Sequence, residues 1–168
     1  MEKLNVGEVE FTLADVKVGT PIVLASDNAG FDHKEAVKTY LDNAGVPYID
    51  CNSEKGIAKN YPEWSHKAAQ HIMDGSAKSA ILICGTGIGI GVAAMKCPGV
   101  YGVRCDCPEQ ARIARETLDV NMLSFGQRVT GVALAMDMVH EFLCTPYDEK
   151  NGCRDAIRNA EKKYMKEV

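Results

Sequence analysis

No stretch of this 168-residue chain approaches the roughly 18 consecutive apolar residues that a membrane span requires. A basic surplus is missing too: 19 Lys and Arg face 23 Asp and Glu, the net charge is -4, and no basic run exceeds a pair. Proteins that grip phosphate backbones carry a basic excess or face, so nucleic acid is not expected as a principal partner. Residues 1–20 place Glu2, Glu8, Glu10 and Asp15 among scattered apolar residues and lack the basic start and apolar block of a secretion signal. The expectation is a soluble, cytoplasmic protein with neither a membrane nor a nucleic-acid partner. Internal repeats, low-complexity tracts and linkers are also absent, and 46% hydrophobic residues suffice for one domain with its own core.

Paired Cys-x-x-Cys spacing is another absence. The seven cysteines, at 51, 84, 97, 105, 107, 144 and 153, are odd in number, which without a signal points to free thiols. Cys105-Asp106-Cys107 stands alone, and His33, His66, His71 and His140 fall into no metal-ligand pattern with the cysteines. No metal is expected.

What the chain does have is alternation. Strand-like runs at Pro21 to Ala25, Val46 to Asp50, Ser79 to Cys84, Val100 to Val103 and Met122 to Phe125 are separated by helix patterns. These helices are predicted at Asp32 to Ala44, Glu63 to Met73, Ile90 to Met95, Pro108 to Thr117, Gly131 to Leu143 and Asp155 to Met165. Pro62, Pro98, Pro108 and Pro146 lie at the boundaries, where a missing N–H is tolerated. The pattern predicts an α/β fold of three layers, Rossmann-like, with a five-stranded parallel sheet flanked by helices on both faces. Residues 1–19 are set apart as an N-terminal arm or extra strand, and 20–168 form the domain.

The most informative segment runs from Ser79 to Gly91. An apolar strand ends in Cys84 and enters glycines at 85, 87, 89 and 91. The spacing is neither Gly-x-Gly-x-x-Gly nor a phosphate loop, because no Gly-Lys-Ser/Thr follows. A strand breaking into glycines before a helix offers a row of backbone N–H donors suited to an oxyanion or phosphate. Cys84 at its edge reads either as a small buried hydrophobe or as a base beside an anion cradle. The second reading makes the chain an enzyme. In parallel sheets, ligands bind beyond the carboxyl ends of the strands, which gathers Ser26 to Gly30, Cys84 to Gly89 and Gly126 to Arg128 into one crevice. Asp27 reads there as a helix cap or as a site residue.

Taken in order, several segments carry a resemblance. They are Ser26-Asp-Asn-Ala-Gly-Phe31, Asp50, Tyr61-Pro62, Ile81-Leu-Ile-Cys-Gly-Thr-Gly-Ile-Gly89, Ala93-Ala-Met-Lys-Cys-Pro-Gly99, Asn121-Met-Leu-Ser-Phe-Gly-Gln-Arg-Val-Thr-Gly131 and the arginines 154 and 158. From about residue 20 to 168 the chain resembles the ribose-5-phosphate isomerase B and galactose-6-phosphate isomerase family of aldose-ketose isomerases. The resemblance implies proton transfer between neighbouring carbons of a sugar phosphate through a cis-enediolate, with no cofactor. Cys84 would be the base, since the glutamate that other members use falls at Ile90 here. Thr86 would shuttle the hydroxyl proton, unless it only stabilises the turn, and Asp27 would handle sugar hydroxyls or the ring oxygen. Substrate contacts would come from Asn28, Tyr61, Gly85, Gly87, Ile88, Gly89, Asn121 and Arg128. Arg154 and Arg158, four residues apart on one helix face, would hold the phosphate in the neighbouring subunit's site. The implied assembly is a homodimer, or a dimer of dimers, with sites at the subunit interface.

Two departures bear on the substrate. The family's Asp-His after the first strand is Asp27-Asn28, and its His-Asn before the last strand is Thr117-Leu118, which removes the implied ring-opening imidazole. The first reading is ribose 5-phosphate/ribulose 5-phosphate isomerisation with Asp27 or water opening the ring. The alternatives are a tetrose or tetrulose 4-phosphate, which cannot close a furanose, or allose 6-phosphate or galactose 6-phosphate, the last beside a partner subunit. A catalytically silent sugar-phosphate binding module would keep the arginines and glycines without depending on the thiol.

Overall fold

The computed structural model describes residues 20–52 and 60–164; the arm expected over 1–19 lies outside the described residues. The elements follow one another as β1 (Ile22–Ser26), α1 (Phe31–Asn43), β2 (Tyr48–Asp50), α2 (Tyr61–Met73), β3 (Ser79–Cys84), α3 (Ile88–Ala94), β4 (Gly102–Arg104), α4 (Pro108–Leu118), β5 (Met122–Gly126), α5 (Val132–Cys144) and α6 (Arg154–Tyr164). Every strand pairing is parallel, in the order β2-β1-β3-β5-β4. Among the described residues no helix is long and apolar enough to cross a membrane.

The central strands β1, β3 and β5 are largely apolar and buried because both sheet faces are covered, whereas the edge strands β2 and β4 are half-buried and end in Asp50 and Arg104. Successive side chains alternate between faces. Ile22, Leu24, Ile81, Ile83, Leu123 and Phe125 pack beneath α1, α4 and α5, whereas Val23, Ala25, Ala80, Leu82 and Met122 meet Trp64, Ala68 and Ala69 of α2 and Ile90 and Ala94 of α3. The buried Ser65 hydroxyl donates to the Ile90 carbonyl at 2.8 Å and ties α2 to α3. This is the three-layer α/β architecture expected from the alternation.

Most boundaries differ from the sequence reading by one or two residues, and two of the shifts have a visible cause. β4 begins at Gly102 rather than Val100, because the Tyr101 N–H donates to the Asn121 side chain and its carbonyl accepts from Asn121 and Met122. α3 begins at Ile88 rather than Ile90, since Gly87, at φ 77°, turns the chain into the helix two residues sooner.

One polar cluster is folded into this apolar frame. Lys34 is fully buried, and its Nζ donates to Asp50 Oδ1 at 2.7 Å and Oδ2 at 2.8 Å, while reaching Glu35 at 3.0 Å. Asp50 also accepts from the Asn52 N–H, and the Asn52 side chain bridges both backbone groups of Ser26. Burial works to raise the Asp50 carboxyl pKa, but bonds from Lys34, Lys38 and the Asn52 amide together hold it below the usual value. Replacing Asp50 with Asn leaves the Lys34 ammonium without its main partner, so urea denaturation at pH 7 should show a loss of about 3 kcal/mol. Because the folded pKa is depressed, this stabilisation is present above about pH 4 and fades as pH falls through the folded value. The difference in urea midpoint between wild type and Asp50→Asn should therefore shrink on acidification.

Candidate active site

Cys84 closes β3 with its side chain buried, and the chain turns immediately into the glycines. The Gly87 N–H donates to Cys84 Sγ at 3.1 Å, and the Ile88 N–H donates to Thr86 Oγ1 at 3.3 Å. The sequence reading left the Gly87 amide open for substrate; in the structure it supports the sulfur. Two glycines make this turn possible. A Cβ at Gly87 would lie 2.6 Å from the Phe125 backbone, and one at Gly126 would lie 2.5 Å from Thr86 Cα. The loop thus runs against the end of β5, and backbone bonds from Gln127 to the Cys84 carbonyl at 2.9 Å and from Arg128 to the Gly85 carbonyl at 3.0 Å hold it there.

Side chains close over this loop from two directions. The Tyr61 ring, at the first turn of α2, lies against Gly89, and the Arg128 side chain passes over Gly85. Thr86, Tyr61, Ile88 and Arg128 are exposed at the rim, whereas Cys84, Gly85 and Gly87 lie beneath it. The loop after β1 adjoins, since the Asp27 N–H donates to the Ile83 carbonyl at 3.3 Å. Asp27 Oδ1 accepts from Ala29 at 2.9 Å and Gly30 at 3.1 Å, so this carboxylate shapes the turn that carries Asn28 at its exposed tip. Gln127 braces the two loops through its Oε1, which accepts from the His33 N–H in the first turn of α1. Cys84, Thr86, Asp27, Asn28, Tyr61, Gly85, Gly87, Ile88, Gly89 and Arg128 therefore converge at the carboxyl ends of β1, β3 and β5.

Burial acts on three of the other thiols. Burial pushes Cys51 up to about 11, Cys105 up to about 12 and Cys144 up to about 11, which keeps them protonated near neutrality. Among the described residues no group of three or more His, Cys, Asp or Glu is arranged to hold a metal ion.

Arg154, Arg158 and Asn121 lie at the opposite end of the sheet. The two arginines border a cavity of about 600 Å³ whose walls include Ile22, Ser79 and Asn121, where strands begin. Five residue steps of β3 at about 3.3 Å put that end about 16 Å from Cys84. The Asn121 amide accepts from Tyr101 N–H and donates to the Gly99 carbonyl, so within one chain it shapes a loop far from the thiol. The arginines form a built cluster. Arg154 Nη1 and Arg158 Nη2 both donate to Asp119 Oδ2, at 3.3 and 3.1 Å, while Arg115 donates to Oδ1 at 3.0 Å. Their guanidinium groups also stack on Tyr147 at 4.4 Å and Tyr101 at 5.3 Å. Asp119 occupies the left-handed region at φ 50°, a conformation Asp tolerates better than most residues.

Sequence reasoning missed Asp119, the tyrosines and Arg104. The only available signal for Arg104 was its place just past a predicted strand, at the end of the sheet where ligands collect.

A parallel sheet with a thiol and a glycine loop at its topological switch point defines an α/β enzyme of small-molecule chemistry. The family model described as Ribose/Galactose Isomerase matches residues 22–160. Ribose-5-phosphate isomerase B of Escherichia coli (strain K12) is 35% identical over 127 residues, covering 76% of this chain and 85% of its own. The 4-deoxy-4-sulfo-D-erythrose isomerase of Clostridium sp. (strain MSTE9) is 36% identical over 129 residues, covering 76% and 81%. The solved ribose-5-phosphate isomerase B of Clostridium thermocellum superposes with a TM-score of 0.80 at 34% identity, over 86% of this chain and 99% of that one. The chain belongs to the ribose/galactose isomerase family. It is accordingly an enzyme, an isomerase of the sugar-phosphate class.

The loop geometry makes a stability prediction. Gly87→Ala should cost about 1–3 kcal/mol in thermal unfolding, from left-handed strain plus the collision with Phe125. Gly45→Ala, at φ 67° with nothing within 4 Å, should lose only about 1 kcal/mol.

Proposed function

We propose that this enzyme interconverts ribose 5-phosphate and ribulose 5-phosphate in a homodimer whose sites each draw on both copies. The observation that carries the reading is the Cys84 sulfur, buried at the end of β3 with the Gly87 amide aimed at it and Tyr61 and Arg128 against the neighbouring Gly89 and Gly85. In the aldose-to-ketose direction the Cys84 thiolate takes the proton from C2, and negative charge develops on O1 as the double bond forms between C1 and C2. Backbone amides of the Gly85 to Gly89 loop other than those of Gly87 and Ile88 stabilise that enediolate. Thr86, exposed at the rim, passes the O2 proton to O1, and Cys84 returns its proton to C1. Arg128 and the Arg154/Arg158 pair bind the phosphate, with Asn28 and Tyr61 along the sugar.

The separation of Cys84 from Arg154 and Arg158 supports the dimer, because one chain cannot bring them to a single sugar phosphate. Residues 20–168 are the isomerase domain in this reading, with 1–19 as an arm, in a cytoplasmic setting and without a cofactor.

A second reading, a tetrose or tetrulose 4-phosphate as substrate, is favoured by the surroundings of Thr117. Its hydroxyl donates back to the Ile113 carbonyl within α4, and the four histidines bond to Thr130 (His33), Cys97 (His66), Ser76 (His71) and Tyr40 (His140). No imidazole at that position opens a ring, and a tetrose 4-phosphate needs none. Interconversion assays on C4, C5 and C6 aldose and ketose phosphates decide between the readings: turnover highest on ribose 5-phosphate supports the first, and turnover confined to C4 substrates supports the second.

Cys84→Ala should lower kcat by about 10²–10⁴ with little change in ligand affinity; unchanged turnover would remove the thiol from the mechanism. Mixing refolded Cys84→Ala chains with Arg154→Ala/Arg158→Ala chains, each inactive alone, should restore about a quarter of wild-type activity, since half the dimers are mixed and each holds one complete site. A mixture as silent as its components would overturn the shared site.

A further inference from the structure

We propose that Arg104 is a positioning residue for Cys84, acting through the peptide group that joins Thr86 to Gly87. The proposal rests on the reading of Cys84 as the base.

One planar peptide group is gripped at both ends. Its N–H, belonging to Gly87, donates to Cys84 Sγ at 3.1 Å; its carbonyl, belonging to Thr86, accepts from Arg104 Nε at 3.0 Å. In a trans peptide the N–H and C=O point in opposite directions, so pinning one fixes the aim of the other. A charged donor makes a stronger bond than a neutral one, and polarising the carbonyl strengthens the donor across the amide. Negative charge on sulfur is thereby supported by a cation that does not touch it. Direct pairing would hold the thiolate away from substrate, whereas relay through an amide leaves one face of the sulfur open.

The guanidinium is anchored for this task. Arg104 is the last residue of β4, where register pairs it with Ser124 on β5. Its Nη1 donates to Asp106, and the Asp106 N–H donates in turn to Gln110 Oε1 at 2.8 Å, in the first turn of α4. From the other side, Gly87 is confined by the Phe125 backbone. The chain of contacts runs from α4 through Asp106, Arg104 and one peptide group to the sulfur, crossing from the sheet's edge strand to its central one.

The test uses the full-length enzyme and two independent readouts: kcat and KM for the sugar phosphate it turns over best, and the rate at which iodoacetamide alkylates Cys84 at fixed pH, resolved from the other cysteines by peptide mass spectrometry. Arg104→Met keeps the aliphatic length and removes the donor. It should slow both Cys84 alkylation and kcat by about tenfold with KM within about twofold of wild type. Arg104→Lys, which retains a cation able to reach the carbonyl, should recover part of both rates. Asp106→Asn, which loosens the anchor, should move both rates in the same direction by a smaller factor and serves if Arg104→Met does not fold. Wild-type alkylation rates in the Arg104 variants would overturn the proposal, as would a rise in KM at constant kcat, which would make Arg104 a substrate contact. If alkylating Cys84 in wild type leaves turnover intact, the base assignment itself falls. If inactivation tracks Cys84 but Arg104→Met matches wild type, only the relay falls.

Discussion

A backbone amide directed at a buried sulfur sets the terms for the crevice. For the Gly87 N–H to reach Cys84, the chain must leave β3, double back within three residues and enter α3 in a left-handed turn. That path lies so close to β5 that Gly87 and Gly126 have no room for side chains. The placement of β5 directly beside β3 is therefore part of the site, and so are the bonds from Gln127 and Arg128 that hold the two loops in register. Parallel pairing of β1 on the other side of β3 brings the Asp27 turn to the same rim.

The molecule divides its polar equipment between the two ends of one sheet. At the carboxyl ends lie a thiol, a hydroxyl, glycine amides and Arg128. At the amino ends lie Arg154 and Arg158, gathered by Asp119 and backed by tyrosines. α6, which carries them, has no buried residue within its own chain, and Ile157 on it is exposed. Its ties to the rest of the chain are polar and aromatic, from Arg154 and Arg158 to Asp119 and the tyrosines and from Glu161 to Tyr101 and the Gly99 N–H.

Much of this was readable from residue order, for physical reasons. Strands buried on both faces must be continuous apolar runs, so Ser79 to Cys84 and Met122 to Phe125 announced themselves. Asn43-Ala44-Gly45 marked the end of α1 because glycine alone takes φ 67° cheaply. The strand-to-glycine transition located the crevice because few other local patterns expose so many amides. Tertiary pairing was not readable. Nothing local said that Tyr101 would be claimed by Asn121 and delay β4, that the Gly87 amide would turn toward sulfur, or that Asp119 would draw three guanidinium groups together across 39 positions. Arg104 stayed hidden for the same reason: its partner is a carbonyl, and every residue has one.

The cavity at the amino ends has one more consequence. Its walls carry Lys78, Arg115, Arg154 and Arg158 against Asp119 and Glu149, leaving a surplus of two positive charges. A phosphoryl group near neutral pH carries between one and a half and two negative charges, about the same amount with opposite sign. Under the proposed function, a monoester held by Arg154 and Arg158 would cancel most of the surplus these walls contribute, so their long-range attraction would weaken on occupancy. Screening by salt would then act mainly on the approach of the anion, while the short-range bonds of the guanidinium groups would govern its retention.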